Sequence, residues 1–444
     1  MLASISPSED AIDIPIRGDA PSLSYPAVLH LPNIEEVPGT YGVASIGRYA
    51  LRPLAIAGPR QWMLVPEDLV SVAVETLSYL KEQGFSGMPE SQIVPFERVG
   101  GAFSSDVLAS AALLRRLRRL PVERLEPFVV TGGAEIIAES LGLPLAMSAE
   151  VSRKFNHKFQ SRRWLEGWGI STPGGVLVRQ PDVTTVKQVV RRMLTAHPGD
   201  RVGVTIPESC SGVGIYRLRS SEEVEGLFNT SLRGVEEVLV EPWLPGVIGS
   251  PSVQVWIDEN PDGDYIVGVT DQLLRDEGGG GPTHLGNLVP SQFMAPMMPI
   301  ILRTMAALRA GGVRGLAGAD LIVRRLPDGR LDWQVVEINA RQTGAIYGAI
   351  LGHRAMAGRP GHAFIHNNIS VPAGISLDEV IQALEQAGIH WRPGRRDGVI
   401  ITCAAALACG KLMVVAIGSS RERVTEIIEA TRSAPYGIPM RGAA

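Results

Sequence analysis

The spacing of apolar positions along this 444-residue chain changes repeatedly, and each change marks an element. Short unbroken apolar runs predict buried strands, whereas apolar residues three or four apart predict helices. WMLVP (62–66) and PFVVT (127–131) are of the first kind; LVSVAVETLSYLKEQG, VLASAALLRRLRRL and AEIIAESLGLPL are of the second. Their alternation from about Leu51 to Leu145 predicts a small α/β unit with a parallel sheet. Residues 1–50 hold only short apolar runs among prolines and glycines, and read as an irregular lead-in.

Beyond residue 150 a single helix is expected over 151–170, ending at Gly169. GVLVR, a helix over 183–196, VGVTI, GIYRL and VLVEPWL follow; QVWID and DYIVGVTDQLL flank the turn Asn260-Pro261-Asp262-Gly263. A helix over 295–310 leads into AGADLIVRRLPDGRLDWQVVEINAR. The tail reads helix (376–388), two strands and helix (419–432), with Ser419 and Glu422 spaced as a capping box. Segment 398–418 is long enough for a membrane span, but Lys411 and the Cys-Gly-Lys break divide it into two β-type runs. The expected division is a lead-in plus α/β domain over 1–150, an α+β domain over 151–367 and an αββα domain over 368–444. No internal repeat or low-complexity tract interrupts it.

The most informative pattern lies in the hairpin between Asp320 and Arg341. Asp328-Gly329 is a favoured two-residue turn. With that pair at the tip, Pro327 faces Arg330 and Asp320 faces Glu337, while Asn339 shares Glu337's side of the strand. Facing carboxylates repel. Two carboxylates and an amide oxygen form a hard ligand set that suits Mg²⁺, which fills its remaining sites with water and phosphate oxygens. Arg341 would supply a fixed positive charge beside it. The plainer alternative is a hairpin with solvated carboxylates.

Other segments are weaker alone. Glu208-Ser209-Cys210-Ser211-Gly212-Val213-Gly214 lies between two strands, and its small residues would let backbone N–H groups approach phosphate oxygens. It is neither a Walker A loop nor a dinucleotide fingerprint. Lys158, with Lys154 one turn earlier on the same helix face, offers a point charge for phosphates. Glu241, Trp243 and Leu244 end an apolar strand whose edge and side chains would suit an adenine ring. Gln272, Arg275 and His284 flank the glycine run 278–281, which reads as a lid or a substrate loop.

Composition narrows the class. A net charge of −4 gives no general case for nucleic acid or an acidic membrane as partner. The arginine run 115–119 lacks interleaved aromatics and reads as a solvated helix face. Three scattered cysteines exclude a disulfide framework or zinc site and fit a reducing cytoplasm. The N-terminal residues lack the basic and apolar regions of a signal peptide. Only five lysines occur, which makes each one informative where arginine would otherwise serve. Oligomeric state leaves no mark.

In order, these elements resemble an ATP-grasp carboxylate–amine ligase preceded by a Rossmann-like pre-ATP-grasp domain. The resemblance implies ATP bound between two α+β subdomains, with Mg²⁺ held by Asp320, Glu337 and Asn339. It implies nucleotide contacts from Lys158, Ser209, Ser211, Gly212, Gly214, Glu241, Trp243, Leu244 and His284, and catalytic roles for Arg341 and Arg275. Two departures stand out: Thr205 occupies the usual position of a second lysine, so Lys154 or an arginine would have to compensate, and Gly249 and Ser250 replace a ribose-binding carboxylate. CSGVGIYRL, HLGNLVP and the tail resemble the pheganomycin-type peptide ligases. That implies a carboxylate of a guanidinoacetic-acid type, activated as an acyl phosphate and joined to a peptide amine. Asp271, Asp276 and Glu277 are the acids available to a guanidino group. An ATP-grasp kinase or a nucleotide-binding regulatory protein would share the same site.

Overall fold

The computed structural model describes residues 27–40, 46–197, 201–209, 212, 214–275 and 283–436. Four short strands form the first sheet: β1 (Val28–Leu31), β2 (Gln61–Pro66), β3 (Ile93–Phe96) and β4 (Arg124–Pro127). All pair in parallel, in the order β3-β2-β1-β4. Parallel strands need crossovers, supplied here by α1 (Val70–Glu82), α2 (Phe103–Ala109), α3 (Ala111–Leu117) and their connections; α4 (Gly132–Leu141) follows β4. β1 falls in the expected lead-in. Its four residues are all buried, but so short a run gives no readable period. The strand expected at 127–131 lies instead at 124–127, and the helix expected at 107–120 is two helices with Ser110 capping the second.

The helix expected over 151–170 is likewise two, α5 (Ala149–Asn156) and α6 (Lys158–Gly167). His157 takes an extended backbone, φ −85° and ψ 111°, and its ring accepts from the Gln160 N–H. Helical periodicity survives this break, so the pattern conceals it. The second sheet, antiparallel in the order β5-β8-β6-β7, contains β5 (Val176–Arg179), β6 (Val202–Thr205), β7 (Ile215–Leu218) and β8 (Glu237–Pro242). With α7 (Val183–Ala196) and α8 (Val224–Thr230) it encloses its own small core around Val186, Val190, Val204 and Val240.

Nine strands make the third sheet: β9 (Val247–Gly249), β10 (Pro251–Ile257), β11 (Tyr265–Arg275), β12 (Thr283–Val289), β13 (Gly315–Arg325), β14 (Leu331–Asn339), β15 (His362–Ser370), β16 (Gly398–Ile401) and β17 (Lys411–Gly418). Its order is β14-β13-β10-β11-β12-β15-β17-β16, with β9 beside β13. The two strands expected in the tail therefore extend this sheet. The associated helices are α9 (Met294–Ala310), α10 (Gly344–Met356), α11 (Leu377–Gln386) and α12 (Arg421–Arg432). The capping box is at Ser376 and Glu379 on α11. α12 instead begins after Ser420, whose side chain accepts from the Arg423 N–H. Among the described residues, no helix is long and apolar enough to cross a membrane.

α10 lies against β11, β15 and β17. Glycines permit the close approach: a methyl group on Gly348 would stand 2.3 Å from Ile365 Cγ1, and one on Gly352 2.6 Å from Ala363 Cβ. This packing fixes where α10 begins, with Thr343 against Gly318 of β13. We expect Gly348→Ala to lower stability by about 1–3 kcal/mol in urea unfolding through overpacking. Helix propensity alone would raise it by about 1 kcal/mol.

Candidate functional site

β13 and β14 pair Asp320 with Glu337 and Gly318 with Asn339, as the sequence spacing predicts. The route to that register is not the predicted one. At the tip Leu326 pairs with Arg330, its N–H donating to the Arg330 carbonyl at 2.9 Å, and Gly329 takes φ 84°. This longer turn shifts the lower ladder by one residue, pairing Arg325 with Leu331. A bulge at Val336, opposite the Asp320–Leu321 step, shifts it back. The Val336 carbonyl accepts from Arg162 Nε at 2.8 Å. Two displacements thus cancel, and an arginine from α6 ties down the bulge.

The carboxylates are held by donors rather than left in solvent. Gln272 Nε2 donates to Asp320 Oδ1 at 2.9 Å and Asn339 Nδ2 to Asp320 Oδ2 at 3.2 Å. Lys158 Nζ stands 3.4 Å from Glu337 Oε1. Burial, and then the facing Glu337 carboxylate, push the Asp320 carboxyl up to about 6. Among the described residues no cluster of three or more His, Cys, Asp or Glu could hold a metal ion. The set at Asp320 is two carboxylates and an amide, a donor chemistry that fits Mg²⁺, and a cation there would relieve the repulsion that raises Asp320.

Lys158 opens α6 with its side chain 4% exposed, and its Nζ also donates to the Ser209 carbonyl at 2.7 Å and to Ser209 Oγ at 3.3 Å. One lysine therefore links the loop after β6 to the carboxylate pair. Gly212 and Gly214 follow in that loop with φ 76° and 75°. Ser211 lies outside the described residues, as do Asp276, Glu277 and the glycine run 278–281. The break at His157 separates Lys154 from Lys158. Lys154 Nζ sits 4.0 Å above the Trp164 ring and is engaged there, so it is not the compensating charge at Thr205.

Arg162, one turn after Lys158, shares Glu241 with Thr205; the sequence leaves this place to Lys154 or an unspecified arginine. Its Nη1 donates to Glu241 Oε2 at 2.5 Å, while Thr205 Oγ1 donates to Glu241 Oε1 at 2.8 Å. The i, i+4 spacing from Lys158 on α6 was the available signal. Trp243 carries the Arg217 guanidinium 5.1 Å from its ring centre, and Leu244 is half-buried beside it. Glu241, Trp243 and Leu244 are thus adjacent at the end of β8.

Arg341 is brought to a cavity of about 470 Å³, beside Ser209, Asn156, Arg153, Thr131 and Gly132. Its Nη1 donates to the Gln342 carbonyl at 3.2 Å. Glu36 forms part of the wall, a buried carboxylate accepting from Asn33, Ser104 and Thr131; it lay in the expected lead-in and gave no signal. Arg275 is exposed at the end of β11, three residues or roughly 10 Å beyond Gln272. His284 lies on β12 with Nε2 3.3 Å from Asn287 Oδ1, and burial lowers its pKa. His284 is thus engaged with Asn287 on its own strand. Asp271 is committed elsewhere: Arg421, Ser291 and the Gln292 N–H surround it, so it is not free for a guanidino substrate.

Solved structures share this fold. An N5-carboxyaminoimidazole synthase from Aspergillus clavatus, in complex with ADP, is 13% identical, with a TM-score of 0.58 over 92% of this chain and 98% of that one. The biotin carboxylase domain of Hydrogenobacter thermophilus 2-oxoglutarate carboxylase, in complex with MgADP, is 14% identical, with a TM-score of 0.57 over 91% and 89%. The chain has the ATP-grasp fold. A family model described as the PGM1 C-terminal domain matches residues 379–431, from α11 to α12. A [butirosin acyl-carrier protein]–L-glutamate ligase of Niallia circulans is 27% identical over 205 residues, 46% of this chain. The chain spans about half the length of that relative, 47%. In ATP-grasp terms β5–β8 form the smaller sheet and β9–β17 the larger, with the Lys158–Glu337 contact where they meet.

Asp320 gives a pH dependence with a definite sign. Its carboxyl in the folded chain lies above the ordinary 3.8, at about 6, so folding favours its proton. That contribution is complete below the ordinary value and lost as pH rises through about 6. Asp320→Asn cannot ionise. Urea unfolding without divalent cation should show the variant gaining on the parent by about 1–2 kcal/mol between pH 4 and 7. A flat difference would remove the repulsion between Asp320 and Glu337.

Proposed function

We propose that this chain is an ADP-forming, ATP- and Mg²⁺-dependent carboxylate–amine ligase. The observation that carries the reading is the convergence of Lys158, Asp320, Glu337 and Asn339 at the junction of the two sheets, with Arg341 on the adjoining cavity wall. Lys158 Nζ and the loop at Ser209 would take ATP's terminal phosphates, and Trp243 and Leu244 the adenine. Asp320, Glu337 and Asn339 would hold Mg²⁺, which when bound spreads negative charge over the phosphate oxygens.

The acid's oxygen attacks the γ-phosphorus, forming one P–O bond as the bond to ADP breaks. The amine then attacks the acyl carbon, giving a C–N bond and releasing phosphate and the amine's proton. Arg341 is a fixed positive charge for the oxyanion or the departing phosphate. No covalent protein nucleophile enters.

For the finer substrate we propose an amino-acid derivative of a guanidinoacetic-acid type, joined to the amino group of a peptide in natural-product biosynthesis. Similarity to a carrier-protein–glutamate ligase and to the PGM1 C-terminal domain supports this. The free thiols of Cys403 and Cys409 fit a cytoplasmic setting. A second reading, a nucleotide-binding protein without turnover, draws on Thr205 in the place of a lysine, with the nearby Arg162 already paired to Glu241.

Mass spectrometry of the protein with Mg-ATP, amino-acid derivatives and short peptides should show a product equal to two inputs minus water, formed with ADP. Phosphate transferred to an alcohol would identify a kinase instead. Asp320→Asn and Glu337→Gln should each lower turnover by about a hundredfold or more while remaining folded. Unaltered ADP formation in both would sink the metal assignment.

A further inference from the structure

Arg52 is a cation for which the described residues supply no counterion. It lies in the 3₁₀ segment Ile46–Ala55, with Nε buried and without a hydrogen-bond partner. Among the described residues no carboxylate pairs with it. By contrast Arg98, Arg162, Arg324 and Arg421 each have one. Its guanidinium carbon stands 4.7 Å from the centre of the Tyr49 ring. Burial depresses its pKa, and the nearby groups that act on it are Cys403, Tyr347 and Tyr49, none of them a carboxylate. An arginine stays charged regardless, so an anion in this place would be favoured.

The groups around Arg52 are also donors. A methyl group placed on Gly344 would meet Arg52 Nη1 at 3.3 Å and Asn367 Nδ2 at 3.0 Å, so both converge on the first turn of α10. That turn is the positive end of a thirteen-residue helix. It has no side-chain cap, and the Thr343 hydroxyl donates to Gln254 Oε1 at 2.8 Å. Gln254 in turn donates to Ser252 Oγ at 2.8 Å, and Ser252 pairs with Asp320. Two strand positions cover roughly 7 Å, so the donor cluster is close to the metal row.

We propose that Arg52, with Asn367 and the first turn of α10, binds a carboxylate of the acid substrate. A planar guanidinium takes both carboxylate oxygens, and the uncapped amides add partial positive charge. The inference rests on the ligase reading for what the anion is, but not for its being bound. The phosphates of ATP are assigned to Lys158 and Ser209, which leaves this second anion site to the other substrate.

The test is thermal unfolding of the full chain without ATP, in acetate, glutarate, inorganic phosphate or chloride at matched ionic strength. At about 100 mM, a hundredfold excess over a millimolar Kd, acetate or glutarate should raise the parent's midpoint by several degrees and chloride should not. Arg52→Met should abolish that rise, and without anion should unfold no earlier than the parent, since it removes an unpaired charge. Arg52→Lys, folded but less protected, would support recognition by the planar fork. Equal protection of parent and Arg52→Met, or none in the parent, would overturn the site. Stronger protection by phosphate would overturn its assignment to a carboxylate. Failure of Arg52→Met to fold, with Arg52→Lys responding fully, would make Arg52 structural. A ligase lacking this anion effect would lose only the Arg52 proposal; the effect without ligation would leave the site and remove the reaction.

Discussion

Two carboxylates facing each other across one strand pair cost free energy, and much of the surrounding structure bears on that cost. Asp320 and Glu337 are fixed by backbone pairing and cannot separate without losing the ladder. Gln272 and Asn339 donate to Asp320, and Lys158 approaches Glu337. Even so, burial and repulsion leave the Asp320 carboxyl near 6, so the pair remains short of positive charge. A site in that condition favours a cation over either single substitution, which is the reverse of what stability alone would select.

Delivering Lys158 to that pair depends on a broken helix. Were α5 and α6 continuous, Lys158 would prolong the face of Lys154, which is spent on Trp164. The extended backbone at His157 turns the chain, and the His157 ring stands 2.8 Å from Glu237 Oε2 on the smaller sheet. α6 then presents Lys158 to Glu337 and Arg162 to the bulge carbonyl and Glu241. A single short helix thereby contacts both sheets through its charged side chains.

Legibility in the sequence followed interaction range. Asp320, Glu337 and Asn339 were readable because strand alternation and one turn relate them within about twenty residues. Their register nonetheless survived by compensation, since neither the longer turn nor the bulge leaves a distinct local pattern. Long-range facts were not readable. Nothing near Arg162 announces Glu241, nothing near Glu36 announces Ser104 and Thr131, and nothing in VLHLP says that β1 is an inner strand of its sheet. Helix caps misled for a related reason: Ser419 and Ser420 are equally good acceptors for a cap, and tertiary packing chooses between them.

The join between the first sheet and the larger one explains why the cavity lies beside Arg341. Beyond Asn339 the chain is caught by the end of β4: the Gln342 N–H donates to the Phe128 carbonyl at 2.9 Å and its side chain to the Pro127 carbonyl at 3.2 Å. Tyr347 on α10 holds the same glutamine from the other side. Asn33 donates to the Val129 carbonyl at 2.9 Å, tying the loop after β1 to the same segment. The ends of β1, β4 and β14 therefore meet, and Arg341 has its place fixed by the contacts of the neighbouring Gln342. Substituting Gln342 would loosen this join without touching a charge, so an effect on turnover there would arise through the position of Arg341 and the start of α10.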